Sequence, residues 1–173
     1  MLPSQPDRVD PWRFAELGRE LTGRVVLAGL ARLARSLVSG GEADYELRFD
    51  RNADGRAVVE GHVAAELHVR CQRCLGPMVV AVDSRFALAF VRGLDEANAL
   101  PDRYEPAWSE DGLVRPIDLV EDELILCLPA VPLHPEGECV PPPEAGEVGA
   151  IPGQASPFAI LASLRSKGDA PKH

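Results

Sequence analysis

Residues 59–74 read Val59-Glu-Gly-His-Val-Ala-Ala-Glu-Leu-His-Val-Arg-Cys-Gln-Arg-Cys74, and their alternation decides the fold. Every second position from Val59 to Cys71 is apolar or glycine, whereas most positions between them carry glutamate, histidine or arginine. A period of two is typical of a strand with one buried and one solvated face. The alternation resumes after Gly76-Pro77, which is turn chemistry. The sequence therefore predicts a long β-hairpin with two cysteines at its tip.

The chain on either side of this hairpin predicts an α+β domain. A further alternating segment precedes it and ends in the turn sequence Asn52-Ala-Asp-Gly55. The predicted antiparallel strands are 43–51, 57–71 and 78–91, with a short strand at 24–28. We therefore expect an antiparallel β-meander or barrel-like sheet flanked by short helices. Alternating βα units are absent from the pattern, which argues against a doubly wound nucleotide-binding fold.

Apolar residues at helical spacing predict three helices in the domain, at 11–21, 30–37 and 119–128. Asp10-Pro11 supplies an N-cap and a first-turn proline for the first of them. Asp118 and Glu121 have the spacing of a capping box for the last. The carboxylates from Glu121 to Glu123 are interpreted as a solvated face, and residues 93–116 as a long acidic loop.

Composition divides the chain into two parts. Residues 1–140 are predicted to form a single α+β domain. Residues 141–173 are predicted to form a flexible, disordered linker and a short C-terminal helical tail, because proline, glycine, glutamate and alanine dominate the first part of this range.

Charge and targeting signals limit the function classes. The 173-residue chain has a net charge of −9, and residues 93–150 hold fourteen acidic residues against two arginines. This balance argues against charge-driven capture of nucleic acid by the whole surface. The N-terminus has no basic region followed by an apolar one, so a cytoplasmic protein without a membrane partner is expected. In a reducing compartment the four cysteines are expected to be free or metal-bound.

The cysteines form the constellation with the clearest chemical meaning. Cys71-x₂-Cys74 has the spacing of half a zinc site, and His134-x₄-Cys139 supplies one imidazole and one more thiol. These four residues are the candidate ligands of a structural zinc ion. The alternative of plain thiols near a turn stays open. Cys127 is interpreted as a small buried hydrophobe.

A reactive role for Cys71 and Cys74 is the alternative from a different function class, either as a zinc-dependent enzyme or as a thiol-redox enzyme. A thioredoxin-like thiol needs a helix N-terminus after a strand, and here a second strand is predicted. The sequence has no phosphate-binding glycine loop and no nucleophile with a placed base. We therefore expect no catalytic residues and no small-molecule substrate. Arg70 and Arg73 form a basic spot at the tip that is suited to an RNA or partner contact.

Five motifs follow one another in order along the chain. They are Cys71-Gln-Arg-Cys-Leu-Gly-Pro77, Leu100-Pro-Asp-Arg-Tyr-Glu-Pro106, Val120-Glu-Asp-Glu-Leu-Ile-Leu-Cys-Leu-Pro-Ala-Val-Pro-Leu-His134, Cys139 and Pro157-Phe-Ala-Ile-Leu-Ala-Ser-Leu164. Together these motifs resemble the bacterial YceD family, the large ribosomal RNA subunit accumulation proteins, over about residues 8–166. The resemblance implies a non-enzymatic role in the synthesis, processing or stability of 23S rRNA, and so in ribosome biogenesis.

The acidic charge of the chain leaves two partners open under that implication. Arg70 and Arg73 would contact 23S rRNA in a precursor of the large subunit. Alternatively, the acidic segment 93–150 would attract a basic large-subunit ribosomal protein, because complementary charge steers such encounters. The charge distribution slightly favours the protein partner.

Overall fold

The computed structural model describes residues 6–109 and 111–139, which fold as one sheet with short helices. The strands are β1 (Glu20–Val26), β2 (Glu42–Arg51), β3 (Ala57–Arg70), β4 (Pro77–Val91) and β5 (Glu105–Trp108). The helices are α1 (Pro11–Glu16), α2 (Leu94–Asn98) and α3 (Pro116–Leu126), and two 3₁₀ turns lie at Leu27–Gly29 and Leu33–Ser36. No helix in these two ranges has the length and apolar character needed to cross a bilayer.

The sheet is mixed and has the strand order β1-β2-β3-β4-β5. The first four strands pair antiparallel with their neighbours, and β5 runs parallel to β4. Within the described residues β1 and β5 are not paired with each other, so the sheet is open and the barrel-like form is not confirmed. The α+β class and the long predicted hairpin are confirmed.

One face of the sheet carries the core, as the alternation predicts. Val59, Val63 and Leu67 of β3 are completely buried, and they face Leu47 and Phe49 of β2 in the same cluster. Gly61 lies in this buried row opposite Phe86, whose ring occupies the space that a side chain at Gly61 would fill. An added Cβ there would lie only 2.1 Å from the ring.

Short helical elements cover the core, and several differ from the sequence prediction. Asp10 caps α1 through its side chain as expected, but the helix ends at Glu16 and Leu21 belongs to β1. The prediction of an α-helix at 30–37 is wrong, because within that segment only the second 3₁₀ turn forms, at Leu33–Ser36. The loop predicted at 93–116 contains α2 and β5. The linker and tail predicted for 141–173 lie outside the described residues and stay predictions.

Helix α3 is fixed by a carboxylate that the sequence analysis misassigned. The helix starts at Pro116 without a side-chain cap, so the predicted capping box is wrong. Glu121 is only 6% exposed, and its carboxylate accepts hydrogen bonds from the backbone N–H groups of Arg32 and Leu33 at 2.7 and 3.1 Å. The Arg32 guanidinium also donates to it at 3.0 Å and contacts Asp122. The solvated-face interpretation therefore fails for Glu121.

These contacts change the acidity of Glu121. Burial raises the pKa of this carboxyl, but the donors from Leu33 and Arg32 outweigh burial and hold its pKa below the usual value of 4.5. A carboxylate with a depressed folded-state pKa stabilises the fold above its unfolded-state pKa. That stability is lost as the pH falls through the lower, folded-state value.

We expect Glu121→Gln to lower the free energy of unfolding by about 2 kcal/mol at pH 7, because charged hydrogen bonds are replaced by neutral ones. The difference from the native chain should shrink as the pH falls below the usual carboxyl pKa of 4.5 and through the lower, folded-state value. Urea denaturation at pH 7 and over this acidic range measures both effects. Glu66→Gln is the matched control, because Glu66 is exposed on the sheet. Equal effects of the two substitutions would contradict this role of Glu121.

Candidate metal centre at the hairpin tip

The β3–β4 connection is a tight turn built on Cys71. The backbone N–H of Leu75 donates to the Cys71 carbonyl at 2.9 Å, and the Cys71 N–H donates to the Gly76 carbonyl at 2.9 Å. Leu75 adopts a φ of +61°, in the left-handed region that non-glycine residues rarely occupy. The turn therefore holds the two cysteines, three positions apart, in one compact tip.

The segment that follows α3 returns to this tip. Residues 127–139 form no helix or strand, and the Pro132 carbonyl accepts a hydrogen bond from the Gln72 N–H at 2.8 Å. His134 Nε2 lies 3.1 Å from the Pro77 carbonyl oxygen. We call residues 127–139 the C-terminal arm. Its prolines favour extended backbone and so direct it along the hairpin.

Four potential ligands meet where the arm contacts the tip. They are Cys71, Cys74, His134 and Cys139, and their ligand atoms all lie within 4.8 Å of one another. Cys71 Sγ is 3.7 Å from Cys139 Sγ, and His134 Nδ1 is 3.4 Å from Cys74 Sγ and 3.9 Å from Cys139 Sγ. Tetrahedral zinc, with bonds of about 2.3 Å to sulfur and 2.0 Å to nitrogen, would separate its ligand atoms by roughly 3.6–3.8 Å. The spacing therefore fits a single tetrahedral ion.

His134 has the tautomer that a metal site needs. A carbonyl oxygen only accepts hydrogen bonds, so the ring nitrogen facing Pro77, Nε2, carries the hydrogen. The lone pair is then on Nδ1, which faces the thiols of Cys74 and Cys139. A second hydrogen bond that fixes the ring in this way is the usual support of a metal-bound histidine.

The thiols of the cluster have opposite acidities. Cys71 is fully buried, which raises its pKa, but donation from the backbone N–H groups of Cys74, His134 and Arg73 outweighs burial and lowers that pKa to about 5. Burial and the adjacent sulfurs of Cys74 and Cys71 raise the pKa of Cys139 to about 11. Soft donor atoms are thus concentrated at one point, and a bound Zn²⁺ would offset the repulsion between neighbouring thiolates that raises the pKa of Cys139.

The remaining sequence candidates lie apart from this cluster. Cys127 ends α3, packs against the core and donates to the Glu123 carboxylate at 3.7 Å, which agrees with its interpretation as a packing residue. His62 pairs with Asp83 on the solvated face of the sheet. Arg70 and Arg73 are exposed beside the cluster, and neither has a carboxylate partner among the described residues.

The setting differs from that of a thioredoxin-like dithiol. Strand β4 begins at Pro77, directly after the cysteine pair, so the thiols do not lie at a helix N-terminus. Sequence reasoning missed the backbone carbonyls of Pro77 and Pro132, which accept the hydrogen bonds that support the cluster, because side-chain patterns do not indicate backbone acceptors. The prolines that lie beside the candidate ligands in the sequence were the one available signal.

Comparison with known proteins places the chain in a family. Residues 59–165 match the family model described as Large ribosomal RNA subunit accumulation protein YceD. A protein of that description from Haemophilus influenzae is 34% identical over 168 residues, which are 94% of this chain and 97% of the relative. The chain belongs to the YceD family. No solved structure matches it.

The range matched to the YceD family contains all four residues of the cluster, β3 from Val59 onward, β4 and α3. The link to the accumulation of the large-subunit ribosomal RNA, which the sequence resemblance implied, is therefore supported at the level of the family. Metal binding and any direct contact with RNA stay predictions.

Proposed function

We propose that this chain is a non-enzymatic factor in large-subunit biogenesis that supports the synthesis, processing or stability of 23S rRNA. We further propose that Cys71, Cys74, His134 and Cys139 hold one structural zinc ion. The observation that carries the proposal is the convergence of these ligands from two distant parts of a chain of the YceD family. Four protein ligands leave no open coordination position, which is typical of structural and not catalytic zinc.

A bound zinc ion would hold the C-terminal arm on the hairpin tip, which few other contacts do. The arm exposes Val131 and Leu133 by 54% and 40%, so it buries little apolar surface of its own. Apart from the contacts among the four cluster residues, two hydrogen-bond contacts join the arm to the hairpin tip in the described part of the chain: the Gln72–Pro132 backbone hydrogen bond and the His134–Pro77 contact. Structural zinc contributes about 10–16 kcal/mol in zinc-finger peptides, far more than two such bonds.

We expect the purified native chain to contain close to one zinc ion, measured by inductively coupled plasma mass spectrometry. Cys139→Ser should weaken zinc binding by on the order of a hundred-fold or more, because loss of a ligand exceeds the effect of losing a second-shell partner. Its thermal unfolding midpoint should fall together with the zinc content. Cys127→Ser is the matched control and should retain the metal. A native chain with four titratable thiols and no zinc would contradict the proposal.

The structure bears on which partner the factor contacts. Three acidic residues of the segment 93–139 form ion pairs within the molecule: Asp118 with Arg115, and both Glu121 and Asp122 with Arg32. The negative charge left for a basic protein is therefore smaller than the composition indicates. Arg70 and Arg73 stay exposed at the tip. We therefore favour direct contact of the tip with 23S rRNA over contact with a basic ribosomal protein.

In-cell crosslinking, followed by identification of RNA and protein, tests this function. We expect large-subunit rRNA or its precursor among the products. Reversing the tip charges with Arg70→Glu and Arg73→Glu should weaken co-sedimentation with large-subunit precursors roughly ten-fold at low salt, and should flatten its salt dependence.

The matched control combines Arg13→Glu with Arg19→Glu, two exposed arginines outside the tip, and should bind like the native chain. Recovery of no large-subunit component would overturn the proposed function. If the tip variant still co-sediments like the native chain and still crosslinks to rRNA, the RNA contact lies elsewhere on the protein.

A further inference from the structure

A groove of about 460 Å³ lies where the N-terminal segment, the end of β5 and the start of α3 come together. Its lining includes Trp108 and three arginines, together with the acidic residues Asp118 and Asp122. The arginines are Arg8, Arg32 and Arg115. Three arginines around one tryptophan form an unusual local composition in a chain with a net charge of −9. This groove does not include any of the four cluster residues.

Trp108 is available for stacking. It ends β5, which forms one edge of the sheet, and 53% of its surface is exposed. The second tryptophan of the chain, Trp12, instead packs against Phe90 at 6.3 Å and lies under the Arg92 guanidinium at 4.4 Å. Among the described residues, no aromatic ring stacks on Trp108 and no guanidinium lies over its ring. An indole left open beside cationic side chains is the arrangement that binds unpaired bases.

The arginines are held in place by backbone pairing. Val9 and Val114 form an antiparallel bridge with hydrogen bonds of 2.8 and 2.9 Å, so the register places Arg8 opposite Arg115. Like charges directly opposite each other destabilise paired strands. Asp7 and Asp118 already pair with Arg115, so the positive charge that a bound anion would offset is that of Arg8.

The carboxylates near the groove decide what kind of ligand it fits. Arg115 pairs with Asp7 and Asp118, at 3.1 and 3.3 Å, and Arg32 pairs with Glu121 and Asp122. A guanidinium has five N–H donors, so a paired arginine keeps some of them free. Arg8 has no carboxylate partner in residues 6–109 and 111–139.

This mixture of charges would make a weak site for phosphate alone. It suits a ligand that gains most of its affinity from stacking and a smaller part from one or two phosphates. A basic protein would bring further positive charge next to Arg8, and the repulsion between the two would disfavour its binding. A double helix keeps its bases stacked internally and so cannot use the indole face.

We propose that this groove binds a short single-stranded segment of RNA, with one base stacked on Trp108 and the neighbouring phosphate contacted by Arg8 and Arg115. The inference rests on the proposed function for the identity of the nucleic acid as RNA. It adds a second contact that is independent of the hairpin tip.

Fluorescence anisotropy with a labelled single-stranded RNA of twelve nucleotides tests the site on the full-length chain. Stacking of one base is worth about 1–3 kcal/mol, so Trp108→Leu should raise the dissociation constant roughly five- to 150-fold. Trp108→Phe keeps an aromatic face and should stay within about three-fold of the native chain. Arg8→Ala should weaken binding a few-fold and lower the salt slope by about one.

Arg13→Ala removes the same charge from an exposed position on α1, outside the groove, and should leave binding unchanged. Native-like binding by Trp108→Leu, or equal loss in Arg8→Ala and Arg13→Ala, would overturn the groove as the site. Equal affinity for a duplex of the same length would also overturn it, because a duplex offers no free base.

Circular dichroism checks that each variant is folded. A second measurement does not depend on Trp108→Leu folding: in a Trp12→Phe chain, Trp108 is the only tryptophan, and RNA should quench its fluorescence. Absence of quenching would overturn the proposal. If the groove variants and the quenching measurement give no evidence of RNA binding but crosslinking still recovers rRNA, only the groove is rejected. If crosslinking also recovers no large-subunit component, the proposed function is rejected as well.

Discussion

The pairing of β3 with β4 is the interaction on which the rest of the molecule depends. Its register runs from Val58 opposite Ala89 to Arg70 opposite Pro77. A slip by one residue would turn the buried row of β3 to solvent, so burial of that row fixes the register. The same register determines where the turn falls, and therefore where Cys71 and Cys74 lie. Core formation and presentation of the candidate metal centre thus follow from one set of backbone hydrogen bonds.

The tip is completed only by contacts that are distant in sequence. The side chain of Glu121 ties α3 to the backbone of the second 3₁₀ turn, and α3 in turn sets the point from which the arm leaves toward the hairpin. Ordering an arm of about a dozen residues costs on the order of 10 kcal/mol in backbone entropy. Two hydrogen bonds at about 1 kcal/mol each do not offset that cost, whereas binding of one structural zinc ion is of the required size.

The strands and the candidate ligands were predictable because their signals are local or chemically rare. Alternation identified β2, β3 and β4, and cysteine and histidine are few enough that a ligand set could be named from spacing. The segment 30–37 was misassigned because apolar spacing does not distinguish an α-helix from a 3₁₀ turn over so short a run. Strand β5 has four residues and contains Pro106, so it gives almost no strand pattern.

The role of Glu121 could not be predicted for a different reason. Its partners, Arg32 and Leu33, lie almost ninety residues away in the chain, and only the tertiary structure brings them together. The nearby Asp118 offered a local explanation, the capping box, which is correct in spacing but not realised. The same limit applies to the groove at Trp108, because Arg8 and Arg115 become neighbours only through the bridge between Val9 and Val114.

Net charge is consequently a poor guide to what this surface binds. Asp118, Glu121 and Asp122 of the acidic segment form internal ion pairs, and these pairs hold Arg32 and Arg115 in defined positions. The exposed Arg70 and Arg73 at the tip would form one small contact site. Arg8, which has no carboxylate partner among the described residues, would form another in the groove. Such a protein would be repelled by RNA at long range and attracted only where a local arginine and a stacking surface coincide. Long-range repulsion with short-range attraction favours selective contact over coating, which is what a factor acting on one RNA requires.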